Sequence, residues 1–375
     1  MDGREVLAVL ERGVVSGAFP GAVVLVARGG EVVLHEAVGQ RSLEPVRAPM
    51  RADTVFDLSS LTKPLATTLA IMVLLHEGKL RLGDRVSRVV PGLAVHGKDA
   101  ITVRHLLAHC SGLAGWRPFF EEVRRVEREG RPNFMATRGA RDLVYEAIHR
   151  ERPEHAPGVA AVYSDLGFIL LGELVELTTR QTLADFVRAR LYRPLGLRHL
   201  DFVDLTRLRR EHLEPDTEAI APTERCPWRG KILCGEVHDD NAWAMGGVAG
   251  HAGLFGTAAD VHAVLAMLRA CALGKPGPFP AGLVREIWRR DDTVAGSTWA
   301  LGWDTPSPQG SSAGVRMSRH AVGHLGFTGT SVWIDLERDC HVVLLTNRVH
   351  PSRRNEGIRA IRPQLHDAVF EALER

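Results

Sequence analysis

The apolar positions of this chain change their period along its length, and those changes outline an architecture. Val6, Val9, Leu10 and Val14 recur at helical spacing and predict an amphipathic helix at the start. Residues 22–28 and 31–38 are β-rich runs on either side of Gly29-Gly30, a hairpin pattern. From Leu69 to Leu75 no polar residue intervenes, and Gly78 supplies a stop. A helix that is apolar on every side is a buried one. Further helices are predicted over 102–109, 166–177 and 183–191, with another opened by a cap at Thr257. Near the end the period returns to that of strands, over 330–335 and 340–346, and a last helix is predicted over 364–373, starting after Pro363.

Strands therefore lie at both ends and helices between them. The prediction is an α+β fold: an antiparallel sheet formed from both chain ends and flanked by helices, with an inserted, mainly helical lobe. The chain reads as one domain over 1–375, its α/β lobe at about 1–75 and 290–375 and its helical lobe at about 76–289. Residues 114–158, with Trp116, Phe119, Phe120 and Phe134 among arginines, read as a lid or substrate wall.

The buried helix gives the polar residues at its head a fixed place. In Ser60-Leu61-Thr62-Lys63 the serine and lysine are three apart, so they share a face and the ammonium stands beside the hydroxyl. Pro64 is tolerated because it falls in the first turn. A serine is a poor nucleophile until a base takes its proton, and burial lowers a lysine's pKa far enough for it to be that base. Four residues of this kind are common by chance. Two more short patterns accompany them: Tyr163-Ser164-Asp165 before a predicted helix, and His324-Leu325-Gly326 at the head of a predicted strand.

Composition excludes more than it selects. With 45% hydrophobic and 25% charged residues among 375, the chain can build a large core. A formal net charge of +2 gives no bulk attraction to nucleic acid or membrane, and Arg207, Arg209, Arg210 and Arg353-Arg354 read as solvated surface. Cys110, Cys226, Cys234, Cys271 and Cys340 are sparse and contain no C-x-x-C, so neither a disulfide framework nor a thiolate zinc site is supported. Residues 235–241 hold one histidine and three carboxylates, with His251 nearby, yet their Asp and Asn content reads as local turns rather than a cation site. No metal and no cofactor is expected. The first residues enter a helical pattern without an apolar leader, and no run reaches 18 apolar residues, so the expectation is a cytoplasmic protein with neither membrane nor nucleic-acid partner.

Taken together, the three patterns in their order resemble the serine β-lactamase and penicillin-binding protein superfamily, in particular its class C-like branch of β-lactamase-like esterases and D-alanyl carboxypeptidases. The likeness extends to 101–109 with Ser111-Gly112-Leu113, to Pro157-Gly158, to Pro194-Leu195-Gly196-Leu197 and to Ala252-Gly253-Leu254-Phe255. The resemblance implies that Ser60 is acylated, that Lys63 is its hydrogen-bonded proton acceptor, and that Tyr163 shares the proton transfer. It further implies an oxyanion hole made of the backbone N–H groups of Ser60 and Phe327, with Gly326 leaving the substrate room to approach.

Two positions depart from the family pattern. Asp165 stands where an asparagine is usual, and a carboxylate can only accept hydrogen bonds. His324 replaces a lysine, exchanging a permanent cation for a group near neutrality. Both changes argue against an efficient β-lactamase and suit an esterase, amidase or peptidase. Capping of the following helix is an equal reading for Asp165. Arg348 reads as a surface salt bridge, with a substrate carboxylate as the alternative partner. The expected function is metal-independent hydrolysis of a small ester, amide or peptide, carboxylesterase first, then D-amino-acid peptidase and β-lactamase. An acyltransferase and a non-catalytic β-lactam-binding sensor are the alternatives.

Overall fold

A strand without an exposed face needs neighbours at both edges and cover on both sides. Strand β1 (Gly21–Arg28) is such a strand, with only Arg28 exposed. The computed structural model, which describes residues 1–375, supplies those neighbours from opposite ends of the chain. β1 pairs antiparallel with β2 (Glu31–Ser42) and with the chain's last strand, β6 (Cys340–Thr346). β3 (Ala48–Pro49) adds to β2, while β5 (Ser331–Asp335) and β4 (Val322–Leu325) extend the other side, giving the order β3-β2-β1-β6-β5-β4.

The register sorts the apolar residues between two faces. Ala22, Val24, Val26, Val342 and Leu344 pack beneath α1 (Arg4–Val15) and the C-terminal helix. Val23, Leu25, Ala27, Val343 and Leu345 join the larger core, which continues through the helical middle of the chain. Within that core, α2 (Leu69–His76) is apolar and buried over Leu69–Leu74, as its unbroken run requires. It is preceded by a wide π-helical turn, Lys63–Thr68, and a 3₁₀ turn, Ser59–Leu61. The α+β fold and the sheet closed by both termini match the expectation. No helix is long and apolar enough to cross a membrane.

Three expectations need correction. The C-terminal helix runs Ile358–Glu374 and contains Pro363 rather than starting after it. Burial of Ile358, Ile361, Leu365 and Val369 against the sheet extends it across the missing N–H. His324 is the third residue of β4, not its head. Of 114–158, Trp116 lines the cleft described below, as a substrate wall would, but Phe119 and Phe120 point into the core, so those two aromatics belong to the packed interior and not to a lid.

Several histidines are buried in neutral form. Burial pushes His341 down to about 3, helped by His262, whose Nδ1 lies 2.7 Å from His341 Nε2, and by Arg269. Burial likewise pushes His366 down to about 4. Above pH 6.5 these groups are neutral whether the chain is folded or not. Below it, the unfolded chain takes up protons that the folded one refuses, so stability falls from about pH 6.5 to about 4 through His366 and on to about 3 through His341. For His366 alone the loss reaches roughly 3 kcal/mol below pH 4. Denaturant midpoints should therefore drop steadily over that window. A flat midpoint from pH 7 to 4 would show that these histidines charge without unfolding the protein.

Candidate active site

Three distant segments meet where the first turn before α2 faces β4, around a cleft of about 870 Å³. The serine turn is held from several sides. Phe56 and Asp57 pair with Gly256 and Phe255, and Asp57 accepts the backbone N–H groups of Ser59 at 2.8 Å and His238 at 2.7 Å. Thr62 Oγ1 donates to the Ser59 carbonyl at 2.7 Å and accepts Leu254 N–H at 3.1 Å. Leu58, Leu61 and Leu65 anchor the turn in the core. Ser60 is thereby presented, half-buried, at the cleft floor.

Lys63 is fully buried, and its ammonium donates to Ser60 Oγ at 3.0 Å and to the His251 carbonyl at 3.2 Å. Its third neighbour is Asp165, with Oδ1 2.7 Å away. Tyr163 lies alongside, its ring centroid 4.7 Å from Lys63 Nζ. Burial pushes the Lys63 pKa down, as expected, but the Asp165 and Tyr163 charges outweigh it and the net shift is upward. Asp165 thus favours the ammonium over the neutral amine that burial alone would favour. For Tyr163, burial raises the pKa, the Lys63 ammonium opposes it and Asp165 adds to it, leaving the phenol above its ordinary value.

The other expected residues fall into place with different partners. Asp165 does not cap its helix, α3 (Asp165–Thr179). Ser164 does so, accepting Gly167 N–H at 3.2 Å, which frees the carboxylate for Lys63. His324 is buried, with Nδ1 donating to the Leu325 carbonyl at 2.9 Å. Burial, then Lys63, holds it down at about 3, so it is neutral and Nε2 can only accept. Gly326 is required for a reason other than substrate access: a Cβ there would stand 2.0 Å from Thr330 Oγ1 and 2.8 Å from the Leu58 carbonyl. The Phe327 N–H does not point into an empty hole; it donates to Ser59 Oγ at 3.1 Å.

Arg348 is likewise not a surface salt bridge. It is buried, its guanidinium donating to the carbonyls of Phe327 (2.7 Å), Arg353 (3.2 Å) and Asn355. Residues 235–241 are knit to protein groups: Asp239 caps the helix Asp240–Ala244 and binds His251 Nε2 at 2.8 Å, and Asp240 pairs with Arg229 at 2.8 Å. Asp165, Asp239 and His251 do bring ligand atoms within 4.8 Å of one another. The Lys63 ammonium already pairs with Asp165 in that cluster, and a divalent cation would have to stand against it.

Three residues of the site escaped the sequence reading. His109, at φ 54°, accepts Ser164 N–H on Nδ1 at 3.0 Å, and its ring lies 4.7 Å from that of Tyr163. Trp299 stacks on Tyr163 at 5.3 Å and meets His109 edge-on at 4.6 Å, so the three rings form one cluster. Ser59 reaches Phe327. His109 closes the stretch 101–109 that already looked familial, whereas Trp299 sits in no local pattern.

A model of the family described as Beta-lactamase matches residues 6–366. The N-acetylmuramyl-L-alanine amidase of Bacillus subtilis (strain 168) is 33% identical over 397 residues, covering 98% of this chain and 84% of that protein. A putative D-alanyl-D-alanine carboxypeptidase of Salmonella schwarzengrund (strain CVM19633) is 31% identical, covering 92% and 82%. Among solved structures, EstCE1, a hydrolase with promiscuous acyltransferase activity, superposes with a TM-score of 0.72 at 23% identity over 98% of each chain. A penicillin-binding protein homologue from Caulobacter crescentus gives 0.70 at 22% identity over 98% and 97%. These two share the fold.

Proposed function

Because the chain belongs to the Beta-lactamase family, we propose that it is a serine hydrolase that acylates Ser60 and then hydrolyses the acyl-enzyme, acting on small esters or amides as one catalytic unit. The observation that carries this reading is the 3.0 Å contact between Lys63 Nζ and Ser60 Oγ, at the floor of a cleft that also holds Tyr163. Asp165 keeps Lys63 charged, and Tyr163 rests as a phenol beside that ammonium. Tyr163 therefore acts as a relay: it takes the Ser60 proton as it hands its own proton to the leaving group, while Oγ bonds to the substrate's carbonyl carbon. The tetrahedral oxyanion is held by the Ser60 N–H and the Phe327 side of the cleft. The bond from that carbon to the protonated leaving group breaks, and in the second half water gives its proton to Tyr163 as Tyr163 returns one to Ser60 Oγ. His109 and Trp299, themselves in contact, pack against the phenol ring and fix its place.

Esters come first because neither departure favours a β-lactam carboxylate: His324 is neutral, and Asp165 is spent on Lys63. A second reading, an amidase or carboxypeptidase of acidic peptides, is favoured by the opposite wall of the cleft. Arg348, Arg354, Arg359 and Arg362 line it, and buried Arg348 and Arg362 donate to carbonyl oxygens, which leave their charge unneutralised. Relatives named as an amidase and a carboxypeptidase agree with that reading. Three probes separate the possibilities: p-nitrophenyl butyrate, D-alanyl-D-alanine and a chromogenic cephalosporin. The ester is expected to exceed the cephalosporin by about tenfold or more in kcat/KM, or 1.4 kcal/mol. Fastest turnover of the dipeptide would establish the second reading, and fastest turnover of the cephalosporin would overturn both. Added alcohol that yields transfer product faster than free acid would make the enzyme an acyltransferase.

A further inference from the structure

Ser59 sits in the left-handed region at φ 51°, a conformation that a serine holds only when its surroundings impose it. Here they do. Its N–H is tied to Asp57 Oδ1, its carbonyl to Thr62 Oγ1, and its hydroxyl oxygen accepts the N–H of Phe327 at 3.1 Å. The side chain lines the cleft next to Ser60, and its contacts provide no acceptor for its own hydroxyl hydrogen. An uncommitted O–H beside a nucleophile, polarised from behind by an amide N–H, is a donor waiting for a negative oxygen.

We infer that the Ser59 hydroxyl is a catalytic residue of the oxyanion hole, donating directly to the tetrahedral oxygen while Phe327 N–H supports it from the second position. This rests on the assignment of Ser60 as nucleophile. The chain of donors runs from Phe327 N–H to Ser59 Oγ, and from Ser59 O–H to the oxyanion. No proton changes owner: the hydroxyl keeps its hydrogen and only shortens its hydrogen bond as charge develops. O–H donors to oxyanions make short, charge-assisted bonds, which offsets the loss of direct amide contact.

The test uses Ser59→Ala and Ser59→Gly on the full chain, read by steady-state kinetics with p-nitrophenyl butyrate and by the rate of Ser60 labelling with a fluorophosphonate. Glycine removes the hydroxyl and relieves the left-handed backbone, whereas alanine removes the hydroxyl alone. Both should lower kcat about tenfold or more, with KM changed less than about threefold, because the interaction exists only once the oxyanion forms. Labelling should slow in parallel. A kcat unchanged in both variants would reduce Ser59 to a structural acceptor for Phe327 N–H. A kcat raised in both would mean that its hydroxyl obstructs the hole. Loss in alanine with full activity in glycine would assign the effect to backbone strain, and each of these three results overturns the inference. If the wild type itself fails to label at Ser60, it is the nucleophile assignment that falls.

Discussion

Ser60→Ala should lose at least about 10⁴-fold in kcat on p-nitrophenyl butyrate, equivalent to roughly 5.5 kcal/mol of transition-state stabilisation, and retain the wild-type melting transition. The two halves of that expectation have separate causes. No other serine or threonine hydroxyl stands against Lys63 Nζ, so nothing replaces the attacking oxygen. The turn is secured by Asp57, Thr62 and the leucines around it, none of which depends on Ser60 Oγ. Residual turnover within tenfold of wild type would remove Ser60 from the chemistry. A lowered melting point would point instead to a structural serine.

The second large effect lies in the proton relay. Lys63→Ala and Tyr163→Phe should each cost about 10²- to 10⁴-fold in kcat, and the double variant hardly more than the worse single one. The geometry demands this coupling: one ammonium touches Ser60 and Asp165, and the Tyr163 ring lies 4.7 Å from that same ammonium. Lys63→Ala also leaves Asp165 without its cation in a partly buried site, so its melting point is expected to fall, whereas that of Tyr163→Phe should fall little. Losses that multiply in the double variant would mean that the two groups act independently.

Much of this organisation can be read from local pattern, and the failures have a common origin. The apolar run 69–75 declares itself because burial on all sides leaves no place for a polar residue, and the strand 340–346 does so through the apolar run 342–345 between the buried His341 and Thr346. The Ser60–Lys63 contact follows from helical spacing alone. What spacing cannot say is which distant group neutralises Lys63. Asp165 was in view as a departure from the family pattern, but its effect, an ammonium favoured over the neutral amine, exists only once α3 is docked beside the serine turn. The same holds for Ser59, whose partner Phe327 is 268 residues away. Arg348 looked like surface because charged residues mostly are. Only the carbonyls of Phe327 and its neighbours make its burial tolerable. Pro363 was misjudged as a helix start because local propensity carries no information on the apolar face that continues to Ile358.

Every step proposed for this enzyme passes through a covalent bond between substrate and Ser60. The direct measurement is the mass of the intact protein after rapid mixing with p-nitrophenyl butyrate and acid quench, followed by mapping of the modified peptide. The prediction is a butyryl adduct at Ser60 that appears with the burst of p-nitrophenol, disappears as the ester is consumed, and accumulates in neither Ser60→Ala nor Lys63→Ala. Turnover of the ester without an adduct in the wild type, or an adduct that persists in Ser60→Ala, would contradict it.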